Sequence, residues 1–342
     1  MTATLVLVIA IVVIALIFDY FNGYNDAANS IATIVATRVL TPFQAVAWAA
    51  FFNFVSAFSF GTGVAKTVGA GMVDLDSVTP YVIMAGLIGA TLWLATTSFL
   101  GLPVSASHAL FGGYAGAAIA RAAYVKGVSN MFDVIVWSGW IKTIVFMVVA
   151  PLLGLVLAYL LMTLIYWLFQ NSTPKTMDNY FRKLQLVSAA IFSYSHGTND
   201  AQKTMGIITS ALVTGGYLAT FEVPIWTIFA AHSAIALGTL MGGWKVVHTV
   251  GARVTRLKPR GGFSAETAGA ISVLLATYLR IGVSTTHIIT GAIAGVGSFR
   301  RLKAVRWGVA KKILWAWILT IPASAAVGWL CFHLFHMFVP NA

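Results

Sequence analysis

The stretch FDYFNGYNDAANS, residues 18–30, ends an apolar run that starts at Leu5. It sets Asp19, Asn22, Asn25, Asp26 and Asn29 at a depth where a membrane helix should still be crossing lipid. A second stretch, FSYSHGTNDAQKT at 192–204, aligns with it without a gap, and Phe, Tyr, Gly, Asn, Asp and Ala coincide. Two more pairs keep the same order. GLPVSASHALFGGYAG (101–116) aligns with RIGVSTTHIITGAIAG (280–295), and KTVGAGMV (66–73) more weakly with HTVGARVT (248–255). Chance likeness between apolar segments could give one such match, hardly three that carry polar residues at near-constant separation. The chain reads as two homologous halves, 1–170 and 184–342, joined by a short cytoplasmic junction at 171–183.

Composition places both halves in a membrane. Of 342 residues, 59% are hydrophobic and 9% charged, against about a quarter charged in soluble domains. The fold class expected is an all-α polytopic membrane protein. The net charge of +12 does not point to nucleic acid, because the basic residues cluster in short segments between apolar runs, as cytoplasmic loops do. The single cysteine, Cys331, excludes an intramolecular disulfide and a cysteine-rich metal site. No Lys or Arg precedes Arg38, so a signal peptide lacks its basic region and Leu5–Tyr20 reads as a retained span.

Charge also orients the halves. Lys175, Arg182 and Lys183 mark one inner loop; Arg253, Arg256, Lys258 and Arg260 a second; Arg300, Arg301, Lys303 and Arg306 a third. Asp74, Asp76 and Glu222 mark outer loops. The first half then starts outside and the second inside, provided one span, Ile144–Phe169, lies between Lys126 and Lys175. An interfacial segment, MFDVIVWSGWIK (131–142), would precede it, with RWGVAKKILWAW (306–317) as its counterpart. The expectation is two inverted-topology repeats in the cell inner membrane, both termini external. Each repeat has a broken first helix and a re-entrant helical hairpin.

The repeated polar residues carry the chemistry. Asn25–Asp26 and Asn199–Asp200 each follow a glycine, Gly23 or Gly197, by two residues. Glycine permits a helix break or a close approach. Carboxylate, amide and freed carbonyl oxygens suit a hard cation such as Na⁺, and a buried carboxylate could instead carry a proton. Such residues can also simply hold helices together, but a duplicated intramembrane Asn-Asp pair points to function. Lys203 stands where the first half has Asn29, three residues from Asp200; it either neutralises that carboxylate or binds an anion. PVSASH and VSTTH fall between stretches that are short for a full crossing. Ser105 and Ser284 stand at N-cap positions, where a helix N-terminus offers free N–H groups to an anion, phosphate being the usual occupant. His108 and His287 could donate to phosphate, carry protons, or be structural. The glycines after each motif suit close helix packing.

GYNDAANS (23–30) and GTNDAQKTMG (197–206) resemble the paired signatures of the inorganic phosphate transporter (PiT) family, and the resemblance spans nearly the whole chain. It implies a homodimeric, inverted-repeat symporter that imports inorganic phosphate with Na⁺ or H⁺ and needs no cofactor. Carried onto this sequence, Ser105, Ser107, Ser284, Thr285 and Thr286 would hold phosphate with Asn25 and Asn199. Asp26, Asp200, Asn22 and Asn29 would serve cation coupling, with Na⁺ at Asp26, Asp200, Asn25 and Asn199. Lys203, His108 and His287 would support them. A sulfate symporter of the same fold is the alternative within transport. A channel would turn over far faster than a carrier. An intramembrane Ser-His-Asp hydrolase sits poorly with two mirrored motif sets.

Overall fold

The structure, a computed structural model, describes residues 3–59, 61–253 and 255–340. The side chains of Asp76, Arg253 and Arg300, named above as loop markers, lie outside the described residues. Among the described residues the chain forms twelve α-helices that fall into two matching sets of six. The first set is α1 Ala3–Ala36, α2 Pro42–Val55, α3 Gly63–Ala70, α4 Pro80–Leu100, α5 Ala106–Val125 and α6 Trp137–Leu168. The second is α7 Pro174–Thr214, α8 Ile225–Met241, α9 Trp244–Arg253, α10 Pro259–Tyr278, α11 Thr285–Arg300 and α12 Trp307–Phe338.

Local sequence explains most of the starts. Thr-Pro pairs open α2, α4 and α7. Each threonine caps its helix, and proline takes a first-turn position whose missing N–H costs nothing. Four helices, α1, α4, α6 and α12, are individually long and apolar enough to cross a membrane. The bent pairs α2–α3 and α8–α9 add two more if each counts as one span.

The expected break in the first helix of each half is not there. α1 and α7 run unbroken through their Asn-Asp motifs. The glycines serve close approach instead. A Cβ on Gly23 would come within 2.0 Å of Ile235 O in α8, and one on Gly197 within 2.6 Å of Asn53 O in α2. The breaks fall in the second element of each half, bent by 88° between α2 and α3 and by 76° between α8 and α9. The weakly matched KTVGA and HTVGA segments lie in α3 and α9, just beyond those bends.

The interfacial segments are also revised. Trp137–Lys142 is the first turns of α6, and between 131 and 170 there is one long helix. Trp140 is buried and donates to Met72 O at 3.1 Å, and Trp317 is buried and donates to Pro103 O at 3.1 Å. These indoles hold loops inside the protein, while Trp137 and Trp307 remain exposed. At the junction only 169–173 are outside helix, and 174–183 form the opening of α7.

α1 and α7 pack antiparallel along their length. Val8 is next to Gly215, Asp19 next to Thr204, Asp26 near His196, and Thr37 hydrogen-bonds Gln185 at 2.9 Å. Around this pair the contacts repeat when the halves are exchanged: α1 packs on α4 and α8 as α7 packs on α10 and α2. The last helix of each half crosses over. α6 packs on α10 and α11, and α12 on α4 and α5. The hairpin glycines allow this. A Cβ on Gly116 would lie 2.1 Å from Ala325 O of α12, and one on Gly295 2.2 Å from Leu155 O of α6.

Basic markers gather at one end, where Arg182 donates to Arg38 O at 2.6 Å and Arg260 pairs with Asp178 at 2.9 Å. The loop with Asp74 is tied elsewhere, through a β-bridge between Val73 and Ile135 and Arg121 donating to Ser77 O at 3.0 Å. The last turns of α12 reach that end, with Phe335 against Tyr81 and His336 against Tyr124.

Because the backbones at Gly116 and Gly295 cannot part to admit a methyl group without moving a whole helix, alanine at either site should destabilise the fold by about 1–3 kcal/mol. Thermal unfolding of the purified variants would show it as a lowered midpoint, larger than for alanine at the exposed Gly308, which has nothing within 4 Å.

Candidate functional site

The hairpins α4–α5 and α10–α11 meet tip to tip against the middle of α1 and α7. Ser105 and Ser284 are N-caps as expected: their Oγ atoms accept from His108 N at 3.2 Å and His287 N at 3.3 Å. The residues two places on reach across. Ser107 Oγ donates to Val283 O at 3.1 Å, and Thr286 Oγ1 donates to Val104 O at 3.3 Å. These are the same bond twice, related by exchange of the halves. The His108 and His287 rings meet edge to face at 4.6 Å, and His287 stacks on Trp317 at 3.7 Å.

Asn25 and Asn199 fasten the loop of each hairpin. Asn25 Nδ2 donates to Val104 O at 3.1 Å and to Asp26 Oδ1 at 2.7 Å, and its Oδ1 accepts from Ser98 Oγ at 3.1 Å. Asn199 Nδ2 donates to Thr277 Oγ1 at 2.8 Å and Ile281 O at 3.1 Å, while its Oδ1 accepts from Val283 N at 3.2 Å. Both amide oxygens are therefore engaged, and the expected Na⁺ set divides: the carboxylates face the centre and the amides hold the loops.

Asp26 collects donors from the opposite hairpin. Thr285 Oγ1 donates to its Oδ2 at 3.0 Å, and Thr286 Oγ1 lies 3.2 Å from its Oδ1, so the single Thr286 proton is shared between Asp26 and Val104 O. Asn29 joins the same two hydroxyls at 3.3 and 3.0 Å. Asp200 instead takes Lys203 Nζ at 2.7 Å. Removing one partner of so buried a pair costs about 3–5 kcal/mol, because the other charge is left unpaired. Asn22 is not brought into this group; it donates to Asp19 Oδ1 at 3.1 Å.

His196, which matches Asn22 in the alignment, completes the centre. Its Nε2 stands 3.6 Å from Asp26 Oδ2 and 3.7 Å from Asp200 Oδ2. Its Nδ1 lies 3.1 Å from Asn53 Oδ1. Asn53 Nδ2 donates to Thr239 at 2.9 Å, so the Asn53 oxygen accepts and the imidazole proton belongs on Nδ1. Nε2 faces both carboxylates and makes no hydrogen bond of its own. Asp26, His196 and Asp200 offer ligand atoms within 4.8 Å of one another, a spacing that can close on a cation. The signal was present in the sequence, since His196 precedes Asp200 by four and shares its helix face. A second buried acid also escaped notice. Glu266 in α10 accepts from Thr33 at 2.6 Å, Gln185 at 2.8 Å and Ser188 at 2.5 Å. Nothing in the first half matches it, so the repeat does not mark it.

Two clefts lead toward the hairpin loops. One, of about 650 Å³, is lined by Gly101, Pro103, Lys245, His248 and Lys312. The other, of about 460 Å³, is lined by Thr67, Lys142, Arg280 and Gly282. They are counterparts: each combines the loop of one hairpin, the short helix after a bend, and the start of a crossed-over helix.

The profile of the phosphate transporter family matches residues 22–328. The chain belongs to the phosphate transporter family. Members are transporters, not enzymes, so the hydrolase reading falls. Among phosphate transporter relatives, a Rhizobium meliloti (strain 1021) protein named "Probable low-affinity inorganic phosphate transporter" is 52% identical, over 97% of this chain and 98% of its own. A Bacillus subtilis (strain 168) protein of the same name is 42% identical, over 98% and 99%. A solved structure titled "The sodium-dependent phosphate transporter" superposes with a TM-score of 0.87 at 25% identity, covering 97% of this chain and 99% of that one.

If Asn199 clamps its hairpin as its three bonds indicate, Asn199→Ala should free the Val283 amide. Hydrogen exchange of the 279–284 segment should then accelerate by about tenfold or more, the equivalent of about 1.4 kcal/mol, with the segment around Val104 little changed.

Proposed function

We propose that the chain imports inorganic phosphate by symport with Na⁺ or H⁺, alternating access around the meeting point of the two hairpin tips. The observation that supports this most is the pair of matched bonds, Ser107 to Val283 O and Thr286 to Val104 O, flanked by two buried carboxylates. The first turns of α5 and α11 face each other there, and a helix N-terminus favours an anion through its unpaired N–H groups and its dipole. Phosphate would enter by exchange: Ser107, Thr285 and Thr286 hydroxyls leave protein oxygens for phosphate oxygens. Ser105 and Ser284 would hold the two turns in shape through their caps.

The cation would sit against Asp26, with His196 and Asp200 beside it. An anion brought beside two carboxylates in a dry site is unfavourable unless positive charge comes with it. Empty and fully loaded centres can therefore reorient, while partly loaded ones are penalised, and that penalty is the coupling. The structural neighbour is named as sodium-dependent, which favours Na⁺. Its fit here is to the carboxylate oxygens. The relatives are named for phosphate, and nothing favours the sulfate alternative.

In this reading residues 1–170 and 184–342 are inverted repeats about a junction at 171–183, consistent with antiparallel α1 and α7. The protein sits in the cell inner membrane with both termini outside, as a homodimer; cross-linking in native membranes would test the last point.

The test is radiolabelled phosphate uptake into proteoliposomes under imposed Na⁺ or H⁺ gradients. Wild type should respond to one of them, and indifference to both would overturn symport. Asp26→Asn should abolish the gradient response. Thr286→Ala should raise the phosphate concentration for half-maximal uptake about 10–100-fold, the worth of a hydrogen bond to a charged group. Sulfate in excess should compete weakly.

A further inference from the structure

We infer that Lys203 is a tethered cation: its ammonium fills, in the second half, the position that a mobile coupling cation takes at the matching carboxylate of the first. This rests on the symport reading above and concerns how many cations accompany each phosphate.

Lys203 Nζ is within hydrogen-bond distance of Asp200 Oδ1 at 2.7 Å, Val283 O at 2.8 Å and Ser107 Oγ at 2.5 Å. The first two can only accept. Ser107 gives its own hydroxyl proton to Val283 O, so toward Lys203 it accepts as well. Three oxygens around Nζ match the three N–H donors of an ammonium. The side chain is 1% exposed. A carboxylate, a hydroxyl and a main-chain carbonyl are also the oxygen types that coordinate an alkali cation.

The exchange of halves turns this into a comparison. Asp200 matches Asp26, Ser107 matches Thr286, and Val283 matches Val104. Around Asp26 the same three oxygens recur, since Thr286 Oγ1 is 3.2 Å from Asp26 Oδ1 and 3.3 Å from Val104 O. The residue matching Lys203 is Asn29, whose amide brings no charge. One cage of oxygens thus holds a covalently attached positive charge, and the other meets only neutral amides, Asn29 on Thr286 Oγ1 and Asn25 on Asp26 Oδ1 and Val104 O. The carrier keeps the attached charge on both the loaded and the return step, so that charge does no net work across the membrane. Only the cation at the Asp26 side travels.

Lys203→Asn recreates in the second half what the first half has. In proteoliposomes the variant should acquire an additional saturable dependence on Na⁺. The voltage at which net phosphate flux stops should then correspond to one more elementary charge per phosphate than in wild type. The double variant Asp200→Asn with Lys203→Asn lacks the carboxylate and should lose the gained dependence. If Lys203→Asn does not transport, its melting temperature in detergent should still rise with Na⁺ by several degrees more than that of wild type, against N-methylglucamine as control. An unchanged charge ratio in an active variant overturns the inference, as does an inactive variant with no added Na⁺ response. Retention of the gained response in the double variant overturns it too. Absence of phosphate uptake by wild type would instead overturn the symport reading, so the two failures are distinct.

Discussion

Two carboxylates buried back to back, Asp26 and Asp200, are the constraint on which the rest depends. Both are almost fully enclosed, and one imidazole nitrogen stands between them at 3.6 and 3.7 Å. In a medium that cannot solvate charge, each carboxylate must be met by donors or cations from the protein or from cargo. The hairpin tips supply the hydroxyls, Lys203 supplies one charge, and Asn25 and Asn199 fix the backbone turns that bring the tips into place. The hairpins, the caps and the crossing of α1 with α7 all serve that central arrangement.

The two halves solve the problem differently while sharing a scaffold. Bonds that shape the hairpins are conserved between halves in kind and length: the Ser105 and Ser284 caps, and the tip-to-tip hydroxyls. Residues that set charge are not. Asn22 is matched by His196, Asn29 by Lys203, and Asp19 by Ser193. The frame is symmetric while the charge within it is not.

Much of this was legible in the sequence because polar residues in an apolar chain are conspicuous and their repetition is informative. The two motif pairs identified the hairpins, the N-caps and the central acids, and the basic clusters identified one end of the molecule. The errors have physical causes. Glycine before Asn-Asp reads equally as a break or as a contact, and only the carbonyl of Ile235 against Gly23 decides for contact. The tryptophans of 131–142 and 306–317 carry an interface signature, yet Trp140 and Trp317 turn inward because loop carbonyls lie within reach of their indoles. Glu266 was missed because its donors, Thr33, Gln185 and Ser188, come from helices far apart in sequence. His196 aligns with an asparagine, so the repeat does not single it out either.

The crossing of α6 and α12 bears on how the chain is made. The first hairpin, α4–α5, leaves the ribosome early, but the helix that covers it is the last of all, some two hundred residues later. Until then the surface around Gly112 and Gly116, shaped to meet Ile321 and Ala325, faces lipid or the insertion machinery. The second hairpin has no such wait, because α6 is already in the membrane when α10 and α11 arrive. Assembly is therefore lopsided in time although the finished frame is balanced in space, and loss of the last helix would leave the first hairpin uncovered.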